Sequence, residues 1–158
     1  MRTRIEIHYL AEHPEFVETL AQWHYAQWKS MMDDDSVARR VAVLTARSNW
    51  RAIPTILVAI EDDELCGSAA LIESDMETRP GLTPWLSEVY VAPEFRRRGI
   101  ASMLVRRMVD EARGLQIPLL YLFTTGPWRE QLYAGLGWSV LERPSYRNVE
   151  RVIMSIRP

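Results

Sequence analysis

The residues with the clearest chemical meaning form the run Arg96-Arg97-Arg98-Gly99-Ile100-Ala101, which follows a strand-like segment and opens a long helical pattern. The first turn of a helix exposes unpaired backbone N–H groups and the positive end of the helix dipole. A glycine there lets a phosphate approach the backbone closely. Arginine side chains at the same place add charge-assisted hydrogen bonds, which favour a pyrophosphate over a lone carboxylate. The run therefore predicts an anion-binding helix start.

Other phosphate-binding motifs fit this run poorly. A Walker-type loop needs a Gly-Lys-Ser/Thr ending, and the dinucleotide fingerprint needs two further glycines; the run has neither. The plainer alternative is a basic surface connection between a strand and a helix, with no ligand. The order of the surrounding elements favours the anion site.

Those elements are a strand, a helix and a second strand. Residues 85–92 are predicted to form a strand, and a helix runs from about Arg98 to Gly114 with an apolar stripe along one face. Residues 118–123 form a short continuous apolar run, typical of a buried strand. A short helix follows over residues 129–134. This strand-helix-strand unit must position the anion site.

The rest of the chain predicts a mixed α+β fold with no internal repeat. The alternation at Ile5, Ile7 and Tyr9 indicates a first strand, and apolar positions recur at helical spacing from Pro14 to Lys29. The remaining predicted elements are a helix over 37–47, a hairpin with strands over 55–60 and 65–72, a loop over 74–84, and strands over 138–142 and 149–156.

Composition limits the classes of function. The 158 residues are 47% apolar and 25% charged, which fits one globular domain spanning residues 1–158. A net charge of −2 argues against a nucleic-acid binder. The charged N-terminus does not look like a signal peptide, and no apolar stretch is long enough for a membrane span, so we expect a cytoplasmic protein without a membrane partner. Cys66 is the only cysteine and cannot form an intramolecular disulfide, which fits a reducing compartment.

Two motifs resemble the GNAT superfamily of N-acetyltransferases. The family signature, Gln/Arg-x-x-Gly-x-Gly/Ala at a helix start, is matched by Arg96-x-x-Gly99-x-Ala101. A second hallmark of the family, an aromatic pair ahead of Leu-Gly-aromatic, resembles the segment 132–138, Leu-Tyr-Ala-Gly-Leu-Gly-Trp, in which Tyr133 is the aromatic residue ahead of Leu-Gly-Trp. The resemblance covers residues 55–156 and is looser over the first fifty residues.

The resemblance implies a GNAT-like fold that binds acetyl-coenzyme A. This fold has a central mixed, mostly antiparallel sheet of about six to seven strands, flanked by about four helices. Two parallel strands, here residues 86–91 and 119–123, splay apart to admit the thioester, and the first of them pairs with the pantetheine arm. The Val91 N–H would polarise the thioester carbonyl. The residues expected to contact the coenzyme are Val89, Tyr90, Val91, Arg96, Arg97, Arg98, Gly99, Ile100, Ala101 and Ser102.

Two residues are candidates for acid-base catalysis. Tyr133 matches the family tyrosine that protonates the sulfur of coenzyme A, and a phenol suits this role because its pKa lies above that of a thiol. Glu88 lies within the predicted central strand, on the same face as Leu86 and Tyr90 if the strand alternates regularly. It is a candidate base for the acceptor amine, and an ion pair with a nearby arginine is an equally open role. Cys66 has no evident histidine partner, so an acetyl-cysteine intermediate is not expected.

The acceptor site is less defined by the sequence. Trp85 and Tyr90 are candidates to line an acceptor pocket or to pack in the core, as are the other tryptophans. Asp33, Asp34 and Asp35 lie between the first two helices, where a carboxylate cluster would attract a cationic amine or simply form a solvated loop. The three histidines show no metal-ligand spacing, so no metal site is expected.

The sequence therefore predicts transfer of an acetyl group from acetyl-coenzyme A to a primary amine, directly within a ternary complex. The acceptor would be a small amine or a peptide N-terminus, and a homodimer is possible because dimers are common in the family. A different class of function is a catalytically inactive acetyl-coenzyme A sensor, against which the presence of Tyr133 and Glu88 argues.

Overall fold

The computed structural model describes residues 4–31 and 36–158. Within these ranges the chain forms a seven-stranded sheet, a two-stranded sheet and four α-helices. The strands are β1 (Ile5–Tyr9), β2 (Thr55–Glu61), β3 (Glu64–Ile72), β4 (Trp85–Val91), β5 (Leu120–Thr124), β6 (Ser139–Glu142), β7 (Ser145–Tyr146), β8 (Val149–Glu150) and β9 (Val152–Ile156). The helices are α1 (Val17–Trp28), α2 (Val37–Arg47), α3 (Ile100–Gly114) and α4 (Pro127–Gly135).

The large sheet has the order β1-β2-β3-β4-β5-β9-β6. Every neighbouring pair is antiparallel except β4 and β5, which are parallel. The predicted hairpin is present, and its turn residues Asp62 and Asp63 both have positive φ, as a tight two-residue hairpin turn requires. The predicted α+β fold with one parallel strand pair is confirmed.

The sheet carries helices on both faces. Helix α3 packs on one face, where Ile100, Leu104, Met108 and Ala112 are at most 1% exposed. Burying each larger apolar side chain contributes about 1.5–3 kcal/mol, so this stripe holds the start of α3 firmly against β4. Helices α1 and α2 cover the other face.

The first two helices differ in how well the sequence predicts their limits. Helix α2 has the predicted bounds, and the Oγ atom of Ser36 caps it by accepting a hydrogen bond from the Arg39 N–H at 3.1 Å. Helix α1 is shorter than predicted, because Pro14–Phe16 forms a separate 3₁₀ turn before it. No helix in the described ranges is both long enough and apolar enough to cross a lipid bilayer.

A β-bulge interrupts β4 at Glu88. This residue has φ +54°, and the register with β3 shifts between the pairs Ala70–Ser87 and Ser68–Tyr90. An extra residue in one strand reverses the alternation of the side chains that follow it. Glu88 therefore shares the α1/α2 face with Tyr90, whereas Leu86 packs on the α3 face. The prediction that Leu86 lies on the same face as Glu88 is wrong for this reason.

The end of the chain also departs from the predicted pattern. Residues 149–156 were expected to form one strand, but β8 and β9 are separate and Arg151 lies between them. The Arg151 N–H donates to the carbonyl oxygen of Pro144 at 2.8 Å, outside the large sheet. This break turns the Arg151 side chain toward the end of β5, where Thr125 contacts it.

Candidate active site

A cleft of about 700 Å³ opens where β4 and β5 diverge. The two strands are in register only at Trp85 and Tyr121, and beyond this pair they separate. The Ala92 N–H bonds to the Cys66 carbonyl on the β3 side at 2.9 Å. Because successive N–H groups of a strand point in opposite directions, the Val91 N–H faces the gap. The gap thus offers a backbone donor to an acyl oxygen.

The start of α3 forms one wall of this cleft. Gly99 caps the helix with φ +77°, no side chain caps the first turn, and a Cβ atom at this position would meet nothing within 4 Å. Arg97 also has positive φ, at +64°. The backbone is therefore held in a conformation that leaves the first-turn N–H groups open to an anion. These features fit a pyrophosphate.

The three arginines before Gly99 have different surroundings. The Nε atom of Arg96 donates to the Val91 carbonyl at 2.8 Å, which ties the loop to the end of β4. Arg97 is exposed and lines the cleft. Arg98 forms an ion pair with Glu61 instead, and its side chain does not line the cleft. Of the residues expected to contact the coenzyme, those that line the cleft are Val89, Tyr90, Val91, Arg96, Arg97, Gly99, Ile100, Ala101 and Ser102.

Tyr133 lies on α4 and lines the same cleft. Its ring packs edge-on against Trp138, with centroids 6.2 Å apart, which fixes its direction. Burial raises the pKa of Tyr133 above its usual value, although Arg129 opposes the shift. No hydrogen bond to its hydroxyl is formed within residues 4–31 and 36–158, so this proton remains available to a group in the cleft.

Glu88 is held by arginines of α2. Its Oε2 atom accepts a hydrogen bond from Arg40, and its Oε1 atom accepts one from Arg47 at 3.0 Å. Burial acts to raise the pKa of Glu88, but Arg40 and Arg47 outweigh it, so the pKa lies below its usual value. The bulge turns Glu88 toward α2, and the carboxylate lines the cleft as one side of this ion-pair cluster.

His24 completes the cluster beneath Glu88. It is 1% exposed, and burial lowers its pKa to about 4, with Arg40 and Arg47 lowering it further against the effect of Glu88. A guanidinium can only donate, so the Nδ1 atom of His24 accepts from Arg40 at 3.2 Å and Nε2 donates to Ser68 at 2.9 Å. His24 is therefore neutral at physiological pH and orients Arg40.

Asp75 is a cleft residue that the sequence did not indicate. It lies in the loop between β3 and β4 and lines the cleft beside Ser87 and Glu88. Burial raises the pKa of Asp75 to about 6, and this effect outweighs a hydrogen bond with Ser87, which acts to lower it. A carboxyl group with this pKa can take up and release a proton near neutral pH. The polar loop 74–84 carries no pattern that would single out this aspartate.

The aromatic residues divide between cleft and core. Trp28 lines the cleft next to Tyr90, with ring centroids 5.8 Å apart, and the exposed Trp128 lines it at α4. Trp85 is fully buried, and its Nε1 atom donates to the Leu82 carbonyl at 2.6 Å. Of the two roles that the sequence left open for Trp85, the structure shows the core role, and Trp85 does not line the cleft as an acceptor-binding residue would.

The acidic segment between α1 and α2 and the single cysteine were also considered in the sequence. Asp33, Asp34 and Asp35 lie outside the described residues. Cys66 is fully buried and outside the cleft, and burial raises its pKa to about 11, which suppresses thiolate formation. Among the described residues no group of histidines, cysteines and carboxylates is arranged to hold a metal ion.

Comparison with known proteins identifies related folds. The Salmonella typhimurium protein yncA, a putative acetyltransferase solved with acetyl-CoA, has a TM-score of 0.74 at 19% identity over 97% of this chain and 93% of its own. An aminoglycoside 6'-N-acetyltransferase complexed with coenzyme A has a TM-score of 0.76 at 17% identity, covering 96% of both chains. The spermidine N-acetyltransferase from Vibrio cholerae, in complex with CoA and spermine, has a TM-score of 0.72 at 18% identity over 97% of this chain and 95% of its own.

At identities below 20%, the TM-scores of these three structures show a shared fold. No curated protein sequence matches the chain significantly. A family model described as the acetyltransferase (GNAT) family matches residues 6–138, the segment that contains α3, the loop before it and Tyr133. The chain therefore belongs to the GNAT family of acetyltransferases.

Proposed function

We propose that this protein transfers the acetyl group of acetyl-coenzyme A to a primary amine by direct transfer in a ternary complex. The observation that carries the proposal is the shared cleft: the gap between β4 and β5, the open start of α3 and the free hydroxyl of Tyr133 all line it. Direct transfer needs these groups around one thioester, and it needs room for the amine on the other side.

The coenzyme would lie between α3 and the splayed strands. The N–H groups of residues 99–102 and the exposed Arg97 would bind the pyrophosphate. The gap-facing N–H of Val91 would donate to the thioester carbonyl, where negative charge develops as the amine attacks. Tyr133 would donate its proton to the departing thiolate. No acyl-enzyme intermediate is needed, in keeping with the buried, protonated thiol of Cys66.

Two carboxylates lie on the amine side of this cleft. Glu88 was the candidate base, but its lowered pKa and its ion pairs with Arg40 and Arg47 make it a weak proton acceptor. Asp75 has a pKa of about 6 and is better matched to accept the ammonium proton. We therefore propose that Asp75 is the base that accepts the proton of the acceptor ammonium group. Glu88 instead positions the arginines of α2.

The relatives with similar folds supply the first acceptors to test. They include a spermidine N-acetyltransferase and an aminoglycoside N-acetyltransferase, whose names give amines as their acceptors. A panel of aliphatic amines, polyamines, aminoglycosides, amino acids and peptides, with release of free thiol from acetyl-coenzyme A as the readout, tests the reaction. Product mass then identifies the N-acetyl group.

The same experiment separates the enzyme from a sensor. Calorimetric binding of coenzyme A together with no thiol release across the panel would favour an inactive coenzyme-binding module. Turnover of any amine above the rate of a Tyr133→Phe variant supports catalysis.

A further inference from the structure

A second cavity, of about 300 Å³, adjoins the cleft on its α2 side. The residues that line both spaces are Met31, Asp75, Glu88, Phe123 and Arg151. None of residues 96–102, which form the anion-binding helix start, lines the second cavity. This space therefore adjoins the amine side of the cleft, away from the expected pyrophosphate.

Arg151 is a buried cation on the wall shared by the two spaces. Arg151 is only 7% exposed, because the break between β8 and β9 turns its side chain inward beside β5. The Nη1 atom donates to the Thr125 hydroxyl at 2.8 Å, and the Cζ atom lies 5.7 Å from the centre of the Phe123 ring. The Nε atom is buried and has no hydrogen-bond partner.

The charge of Arg151 has no ion-pair partner among the carboxylates of the described residues. Across residues 4–31 and 36–158, Arg151 forms no ion pair, and its contacts are a hydroxyl and an aromatic face. The other arginines of the second cavity differ in this respect. Arg40 and Arg47 pair with Glu88, and Arg147 pairs with Glu77.

Burying such a group without an anion is costly. A guanidinium cannot lose its proton in a protein, so it cannot escape the desolvation cost by becoming neutral. Its planar donors match the two oxygens of a carboxylate. A buried arginine that has unused donors and borders a cavity is thus arranged to receive an anionic group from outside the chain.

We propose that the acceptor amine also carries a carboxylate, as amino acids do, and that Arg151 binds this carboxylate while the amine reaches the thioester beside Asp75. The inference rests on the proposed N-acetyl transfer and names its substrate class. It disfavours polyamines, because a second ammonium group would face the Arg151 guanidinium at the same wall.

The test uses acceptor pairs that differ only in the anionic group: glycine with glycinamide, and phenylalanine with phenylalaninamide. The amide of each pair has the less basic amine, so a larger fraction of it is unprotonated near neutral pH, and a preference for the acid cannot come from the amount of free amine. We expect wild-type kcat/KM to favour the acid at least about tenfold, a factor consistent with one charge-assisted pair. Equal values, or a preference for the amides or for spermidine, would overturn the proposal.

Substitutions of Arg151 test whether this residue causes the preference for the acid over the amide. Arg151→Met should reduce the acid-to-amide ratio to about one through KM for the acid, while amide acetylation changes little, and Arg151→Lys should keep part of the preference. Arg143→Met is the matched control, since Arg143 is an exposed arginine paired with Glu130 outside both spaces. If Arg151→Met does not fold, the wild-type acid-to-amide ratio still decides the question.

A binding measurement separates this inference from the proposed function. If no amine is acetylated, the N-acetyl transfer proposal fails, and calorimetry with N-acetylglycine and N-acetylglycinamide tests the carboxylate site alone. Tighter binding of N-acetylglycine by wild type, lost in Arg151→Met, supports the site, and equal binding of the two compounds refutes it.

Discussion

Arg40 of α2 forms an ion pair with Glu88 at the bulge of β4, and both side chains are largely buried. This contact joins the helix layer on the side of the cleft where we propose that the amine binds to the strand that would receive the thioester. Because His24 accepts a second hydrogen bond from Arg40, the position of the guanidinium is set from two sides.

Removing Arg40 should therefore destabilise the protein. An Arg40→Met variant leaves Glu88 buried and still paired with Arg47, and breaking a buried ion pair in this way typically costs about 3–5 kcal/mol. Urea unfolding followed by circular dichroism measures the loss. The double variant Arg40→Met with Glu88→Gln should recover part of it, and a loss below about 1 kcal/mol in the single variant would contradict the structural role of the pair.

The hydroxyl of Tyr133 is expected to act on the leaving group. Tyr133→Phe should lower kcat by about 10²-fold or more, a usual contribution of a general acid, with little change in coenzyme affinity. Stopped assays of thiol release and calorimetry with coenzyme A measure the two quantities. Tyr25→Phe is the control, since Tyr25 lies on α1 and lines neither cavity. An unchanged kcat would remove Tyr133 from the chemistry.

Gly99 offers a test of the proposal that the start of α3 binds the coenzyme pyrophosphate. Gly99 and Gly114 both have free space where a Cβ atom would be added, but only Gly99 has a positive φ. Alanine at position 99 should cost about 1–2 kcal/mol of backbone strain and raise KM for acetyl-coenzyme A, whereas Gly114→Ala should be neutral or slightly stabilising. If both variants keep the wild-type KM, the left-handed conformation at Gly99 is not needed for coenzyme binding.

The pH dependence of the reaction should reveal Asp75. The base must be ionised to accept a proton, and burial raises the pKa of Asp75 to about 6. We expect kcat/KM to fall about tenfold per pH unit as the pH drops below about 6. Asp75→Asn should lower the rate and abolish this acidic limb. Should the limb persist in Asp75→Asn and vanish in Glu88→Gln, the proton acceptor is Glu88.

His24 should make the protein sensitive to acid. Burial lowers its folded pKa to about 4 from 6.5, so its contribution to stability is complete above pH 6.5 and is lost as the pH falls toward 4. The full loss is on the order of 3 kcal/mol. Asp75, whose folded pKa is raised, acts in the opposite sense over much of the same range.

The two contributions can be separated by substitution. Urea unfolding between pH 7 and 4.5 should show a steeper acid loss in Asp75→Asn than in wild type, because the opposing contribution is gone. Adding His24→Gln should flatten the curve again. A pH dependence that is identical in all three proteins would exclude both titrations.

Much of the fold follows from local patterns in the sequence. The apolar stripe predicted for the long helix is the buried face of α3, formed by Ile100, Leu104, Met108 and Ala112, and the hairpin is present as predicted. The motif from Arg96 to Ala101 correctly indicated the helix start at the cleft.

The rest depends on contacts that local patterns do not encode. The bulge at Glu88 arises from pairing with β3, so regular alternation placed Leu86 on the wrong face. Trp85 was a candidate cleft residue because tryptophan type alone does not distinguish core from pocket. Asp75 and Arg151 lie far apart in sequence, in a loop and at a strand break, and only the fold brings them to one wall.

The bulge also limits how this protein can be re-engineered. Deleting one residue from β4 near Glu88 would restore regular alternation, so the side chains after the deletion would turn to the opposite face of the sheet. The straightened β4 could then pair with β5 along its length. The gap between β4 and β5 and the part of the cleft lined by Glu88 would then change together. Acceptor specificity is therefore better altered through α1, α2 and the loop that carries Asp75, which can vary while the strand keeps its extra residue.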